Sequence, residues 1–280
     1  MRAACVAGAL ALLSAAPAAA GCAGAEAPCE APGGTYHLAM PEGVEGPVPV
    51  LVFLHGWGSD GESMIENMGI ADALTARGWA MLAPDGTPRE GRSGRGWSFH
   101  PDRPGPRDEI AFIRGVLDHA VAGHGLDASR SMLGGFSIGG SMASYFACAE
   151  PGAFTAYVPV AGSFWRPHPK GCEGPVRLRH VHGWRDGTVP LEGRRLGSGF
   201  AQGDVFEAMR IWREVNGCDN YRADGFETGE GDPQRWIRSW AECDPGTALE
   251  LELFDGGHGV PRGWADDTLD WFEALSVQPG

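Results

Sequence analysis

Gly135-Phe136-Ser137-Ile138-Gly139 sets a serine between two glycines, each two residues away. A serine in this pattern sits on a sharp turn between a strand and a helix, with its hydroxyl lifted clear of the sheet and the next amide free to bind an oxyanion. Gly135 and Gly139 leave space where side chains would collide as the helix folds back over the strand, and Gly140 adds more. A hydroxyl is a poor nucleophile at neutral pH, so Ser137 needs a histidine to take its proton and a carboxylate to hold that histidine's tautomer. In a chain with 44 glycines the pentapeptide alone can be an ordinary glycine-rich turn, so its meaning depends on where such partners fall.

In open parallel sheets reactive groups gather at the carboxyl ends of the strands. Of nine histidines, His55, His182 and His258 closely follow an expected strand. His258 alone lies in a loop after the last strand with glycines on both sides, Gly256, Gly257 and Gly259, and is the expected base. For the carboxylate, Asp186 follows the strand after the Ser137 unit, and the resulting order Ser137, Asp186, His258 differs from that of the chymotrypsin and subtilisin types. Asp85 is the rival, since it too ends a strand, but it precedes the serine; Asp255 is so near His258 that it is expected to shape the loop.

His55-Gly56-Trp57-Gly58 ends a central strand, where the amide after His-Gly serves as the second oxyanion donor. Trp57 and Ile138 are therefore the expected oxyanion pair, and His55 is read as a brace for its loop. The chemistry this arrangement supports is two-step acyl transfer from an ester to Ser137 and then to water. Trp97, Trp165 and Trp184 lie in or beside the same loops and are expected to form an apolar or sugar-stacking cleft, with simple packing as the alternative for each. His180 and His182 share a strand face, but without a third ligand they are read as a packed pair; no metal and no cofactor is expected.

These groups require strands that end together. Apolar runs at Gly34 to Met40 (an edge strand), Val50 to Leu54, Trp79 to Ala83, Ser131 to Phe136, Phe154 to Val160, Val176 to Val181 and Leu249 to Phe254 read as strands. Helical spacing is expected over Ser63 to Arg77, Arg107 to Val121, Ile138 to Ala149, Asp204 to Val215 and Trp264 to Leu275. The alternation predicts an α/β chain with a mostly parallel central sheet and helices on both faces. Between Gly86 and Arg107 a long stretch dense in Gly, Pro and Arg carries Trp97, Phe99 and His100, and reads as a flap over a substrate pocket or as a disordered loop.

Met1-Arg2, the apolar run Val6 to Ala16 and Ala18-Ala19-Ala20 have the three parts of a secretory signal peptide, residues 1–20, leaving 21–280 as one domain. No stretch is long and apolar enough to span a bilayer, and the expected location is secreted or periplasmic. Ala19-Ala20-Gly21-Cys22 also resembles a lipoprotein signal, but lipidating Cys22 would strand Cys29. Without Cys5, six cysteines remain: Cys22, Cys29, Cys148, Cys172, Cys218 and Cys243. An even number in an oxidising compartment suggests three disulfides; sequence order pairs neighbours, among about 15 connectivities open to six cysteines. With 22 basic and 36 acidic residues the net charge is −14, which disfavours nucleic acid and anionic membranes as partners.

Taken together, Leu54-His-Gly-Trp-Gly58, Arg107-Asp-Glu-Ile-Ala-Phe-Ile113, Gly134-Gly-Phe-Ser-Ile-Gly-Gly140, His182-Gly-Trp-Arg-Asp-Gly-Thr-Val-Pro190, Asn216-Gly-Cys218 and Gly256-Gly-His-Gly259 resemble a group of secreted esterases. That group joins polyhydroxybutyrate depolymerase-like proteins with the feruloyl and acetylxylan esterases of carbohydrate esterase family 1. The resemblance runs from about Thr35 to Phe272. It implies an α/β-hydrolase fold, a metal-free triad at Ser137, Asp186 and His258, a disulfide between Cys218 and Cys243, and a small or oligomeric hydroxyalkanoate-type, feruloyl or acetyl ester as substrate. Two positions depart from the pattern. Gly257-His258-Gly259-Val260-Pro261 lacks the tryptophan of the usual Gly-His-Thr-Trp-Pro, and Ile138 stands where a small or polar residue is common. A serine peptidase of the same fold and a polysaccharide-binding protein on a hydrolase scaffold are the competing readings.

Overall fold

The computed structural model describes residues 21–197, 199–219, 221–229 and 233–275; the expected leader lies outside them. In chain order the elements are β1 (Cys29–Ala31), β2 (Gly34–Ala39), β3 (Val48–Leu54), α1 (Gly61–Asn67), α2 (Ile70–Ala76), β4 (Ala80–Pro84), β5 (Thr87–Pro88), β6 (Arg95–Gly96), α3 (Glu109–His124), β7 (Leu126–Phe136), α4 (Ile138–Ala149), β8 (Ala156–Val160), β9 (Trp165–Arg166), β10 (Arg177–Gly183), β11 (Ala201–Gln202), α5 (Val205–Val215), β12 (Gly225–Gly229), β13 (Arg235–Trp240), β14 (Ala248–Phe254) and α6 (Trp264–Leu275). One ten-stranded sheet has the order β1-β2-β4-β3-β7-β8-β10-β14-β13-β12. From β4 to β14 neighbouring strands are parallel, and antiparallel strands extend both margins.

Successive side chains of a strand point to opposite faces, and β3 shows what this demands of the centre. It is buried at every position. Val50, Val52 and Leu54 pack under α3, α4 and α5 with Phe112, Met142 and Trp212. Leu51 and Phe53 pack on the other side under α1, α2 and α6 with Ile65, Leu74 and Phe272. Apolar runs without alternation follow from this double coverage.

The strands that carry the candidate carboxylate and histidine are neighbours. β10 and β14 pair in register from Arg177 with Ala248 to Gly183 with Phe254. Arg179, buried on β10, reaches Glu250 at 2.7 Å and also Glu252, both on β14. Its two carboxylates compensate a charge that would otherwise be costly to bury. The ends of both strands thus emerge side by side, and the loops beyond them start from one place.

Several elements depart from the sequence reading. The helix expected over Ser63 to Arg77 is two helices, because Gly69 takes a left-handed conformation at φ 63° and redirects the chain before α2. β2 is not the sheet edge, since β1 pairs outside it. The hairpin β12–β13 is absent from the sequence reading. The stretch from Gly86 to Arg107, read as a flap over a pocket or a disordered loop, is structured: β5 pairs with β6, and Trp97 is buried. Three disulfides join Cys22 with Cys29, Cys148 with Cys172, and Cys218 with Cys243, the neighbour pairing. Among the described residues no helix is long and apolar enough to cross a membrane.

Candidate active site

Ser137 occupies the turn between β7 and α4 with φ 60° and ψ −119°, a combination that a non-glycine residue adopts only under constraint. The constraint is close packing of backbone. A Cβ on Gly139 would lie 2.2 Å from the Leu54 carbonyl oxygen, and one on Gly162 would lie 1.9 Å from that of Ser137. The Ser137 amide donates to the Val160 carbonyl on β8 at 2.9 Å. Strain at the serine is therefore held by three adjoining strand ends, which leaves its side chain facing out of the turn.

The loop after β14 brings His258 to this serine. His258 Nε2 lies 3.0 Å from Ser137 Oγ, and His258 Nδ1 lies 2.7 Å from Asp186 Oδ2. A carboxylate accepts, so Nδ1 carries the proton and Nε2 is left to take one from the hydroxyl. The other carboxylate oxygen, Asp186 Oδ1, accepts the amides of Thr188 and Val189, each at 2.8 Å. Burial pushes the Asp186 carboxyl up, but hydrogen bonds from His258 and the Val189 amide, with the charges of His258 and His182, outweigh it. Its pKa falls below the ordinary carboxylate value, and it stays ionised where a histidine titrates.

Asp85 is engaged elsewhere: it accepts from Thr35 Oγ1 at 2.6 Å and the Gly61 amide at 3.0 Å. Asp255 forms an exposed pair with Arg185 at 2.9 Å. His55 braces its loop as expected, accepting the Gly86 amide on Nε2 at 3.0 Å and donating from Nδ1 to the Gly56 carbonyl at 2.8 Å. That loop lies against the serine, since a Cβ on Gly56 would meet the Ser137 Cβ at 3.6 Å. Ile138 is the first residue of α4, so its amide has no carbonyl a turn behind it in the helix. The Trp57 amide makes no backbone hydrogen bond among the described residues. Among the described residues two unpaired amide donors therefore stand on segments that adjoin the hydroxyl.

The buried His180 and His182 form a chain behind the carboxylate. His182 donates from Nε2 to the Val189 carbonyl at 2.7 Å, which leaves its Nδ1 to accept from His180 Nε2 at 3.1 Å. The pair anchors the segment whose amides hold Asp186. Burial, with His182 beside it, holds His180 well below the ordinary imidazole value. The unfolded chain therefore takes up the proton first, near pH 6.5. The stability this group contributes is present above that pH and is lost as the pH falls toward its folded value, by up to about 1.4 kcal/mol per pH unit. His180→Gln, which keeps a donor for His182, is expected to flatten the decline in urea-unfolding free energy between pH 7 and pH 5 by about that slope. Identical slopes in the two proteins would contradict this.

Beside Ser137 opens a pocket of about 480 Å³ whose walls include Trp57, Ile138, Trp97 and Trp165. Trp97 has a second task, donating from Nε1 to the His55 carbonyl at 2.9 Å. Trp184 is not in this pocket. It projects into a separate apolar groove of about 690 Å³ with Phe206, Phe226 and Trp236, because the chain turns at Gly183 before it reaches Asp186. The sequence reading missed the amides of Thr188 and Val189, which carry no side-chain signal, and the walls formed by Arg194 and Gln202. Phe99 and His100, on the loop whose aromatic content places it over a pocket, do line it.

A model of the family described as Phospholipase/Carboxylesterase matches residues 38–202, a stretch that includes Ser137 and Asp186 and stops before His258. The probable feruloyl esterase C of Aspergillus clavatus is 31% identical over 114 residues, 40% of this chain and 36% of that protein. In the curated feruloyl esterase C relatives it matches, the alignment spans between about a third and under half of their length. Among solved structures, the acetyl xylan esterase from Aspergillus awamori superposes with a TM-score of 0.64 at 17% identity, covering 86% of this chain and 94% of that one. The carboxylesterase from Mesorhizobium loti does so with 0.54 at 16%, with the same coverage of each chain. At those identities the two structures establish the α/β-hydrolase fold.

Proposed function

This chain belongs to the phospholipase/carboxylesterase family, and from that premise we propose that it is a carboxylic-ester hydrolase in which Ser137, His258 and Asp186 act as nucleophile, base and orienting carboxylate. The observation that carries the reading is the unbroken chain of hydrogen bonds from Ser137 Oγ through both ring nitrogens of His258 to Asp186.

As Ser137 Oγ attacks the ester carbonyl, His258 Nε2 takes the hydroxyl proton, and Asp186 stabilises the imidazolium that forms. The carbonyl oxygen, now an oxyanion, is received by the amides of Trp57 and Ile138, donors of a kind each worth ~3 kcal/mol in the transition state. The ester C–O bond breaks as His258 passes the proton to the leaving alcohol. Water then gives a proton to His258, attacks the acyl carbon and returns Ser137 with the free acid. The dipole of α4, positive at its first turn, favours each oxyanion.

The substrate classes in this reading are feruloyl, acetyl and hydroxyalkanoate-type esters; the first two are supported by the relatives named feruloyl esterase C and acetyl xylan esterase. Residues 21–280 are read as a single catalytic domain, exported behind a leader at 1–20, and the three disulfides support an oxidising location. With Cys22 bound to Cys29, the disulfide favours a free exported form over an anchor at Cys22.

The test is a substrate panel: methyl ferulate, acetylated xylan oligomers, hydroxybutyrate oligomers, p-nitrophenyl acetate and a matched p-nitroanilide. Turnover of at least one ester with the anilide untouched is expected. Cleavage of the anilide in preference to its ester would make the protein a peptidase, and inertness toward every member would leave only a binding role.

A further inference from the structure

The pocket beside Ser137 reverses the charge of the protein around it. The chain has 36 acidic and 22 basic residues, yet among the described residues the walls of this pocket include Arg103, Arg194 and His100 and no aspartate or glutamate. A low-dielectric concave site lined by one sign of charge concentrates ligands of the other.

Two of them, Arg103 and His100, meet at one ring. The Arg103 guanidinium carbon lies 3.8 Å over the Phe200 ring, and His100 and Trp165 meet the same ring edge-on at 5.9 and 5.3 Å. Two residues further on, buried Gln202 accepts from Arg194 Nε at 3.2 Å. Among the described residues this is the only hydrogen bond of the Arg194 side chain, so its terminal nitrogens are presented as a fork beside an aromatic wall.

His100 adds an independent observation. It is 8% exposed, and its Nδ1 accepts the Asp102 amide at 3.2 Å, so the neutral ring carries its proton on Nε2. That Nε2 is buried and has no hydrogen-bond partner among the described residues. A buried donor left without an acceptor is unfavourable and uncommon, and on a residue that lines a substrate pocket it calls for an acceptor supplied by the ligand. The Asp102 carboxylate is not part of the wall.

We infer that the ester taken by this site carries a carboxylate, held by Arg194 with the His100 Nε2–H as the dry donor, while the apolar body of the substrate lies against Trp97, Phe99 and Trp165. A carboxylate offers about four acceptor positions, which suits a guanidinium fork and a further N–H. Hydrolysis adds water across the ester C–O bond, and the charged group leaves with whichever half bears it. The inference rests on the esterase reading above and specifies its substrate.

Two matched pairs of esters test it. The first, mono-p-nitrophenyl glutarate against p-nitrophenyl pentanoate, places the charge in the acyl half. The second, 3-butyryloxybutyrate against its methyl ester, places it in the alcohol half. In at least one pair the anionic member is expected to have the higher kcat/KM. That anionic-to-neutral ratio is expected to fall about tenfold in Arg194→Gln, and to fall in wild type with rising salt. Preference for the neutral member in both pairs, or a ratio unmoved by the substitution, overturns the inference while turnover of the neutral esters leaves the esterase reading standing. Loss of all ester turnover in wild type removes both.

Discussion

Replacing Ser137 with alanine is expected to lower kcat on any ester that the wild type hydrolyses by about 10⁶, the scale on which removal of a serine nucleophile acts when base and carboxylate remain. The loss is large because the group that His258 Nε2 faces, at 3.0 Å, is the Ser137 hydroxyl that forms the acyl intermediate. It is not total, because the Trp57 and Ile138 amides are main-chain donors that the substitution leaves in place. Stability should change little. Alanine keeps the Cβ, so the backbone at φ 60° is no more and no less strained than before. A fall in kcat of less than tenfold, with thermal unfolding unchanged, would mean that the acyl group is carried elsewhere.

Asp186→Asn is expected to lower kcat by about 10⁴, through geometry that can be followed atom by atom. The Thr188 and Val189 amides point at one oxygen of the carboxylate, and only the carbonyl oxygen of asparagine can occupy that position. Its NH₂ group must then face His258 Nδ1, which can meet a donor only by giving up its own proton. The proton moves to Nε2, and the ring can no longer accept from Ser137. The KM of a small neutral ester should move far less than kcat, since the side chain does not line the pocket. Near-normal kcat in this variant would mean that the Asp186 contact does not set the histidine tautomer.

Ser137 and His258 were legible in the sequence because each is bound to a local pattern: glycines where main chains touch, and glycines around a loop histidine after the last strand. Asp186 needed only the rule that reactive groups sit at strand ends, and the side-by-side register of β10 and β14 is the physical form of that rule. The fold was legible for the same reason, since strands buried on both faces announce themselves as apolar runs. β12 and β13 are covered on one side at most, and β13 alternates partly buried and exposed residues through Arg235-Trp-Ile-Arg-Ser, so no such run exists. The break at Gly69 was hidden because apolar spacing continues across it.

Trp184 shows a different limit. Its place after a strand was read correctly, but the direction of a side chain in a turn depends on dihedrals that composition does not encode. Trp97 was expected to serve the cleft, and it also braces the loop that carries Trp57. Arg194 and Gln202 gave no sequence signal at all. Their place in the pocket wall arises from the β11 segment folding back against β9, where a charge that looks like any surface arginine faces the pocket.

The most direct measurement of the central claim, that Ser137 is the acyl-accepting nucleophile activated by His258, is peptide mapping after inactivation with diethyl p-nitrophenyl phosphate. The account predicts one diethylphosphoryl group, located on Ser137, with activity lost in proportion to labelling. Label on another residue in an inactivated protein, or full activity with Ser137 stoichiometrically modified, would contradict it.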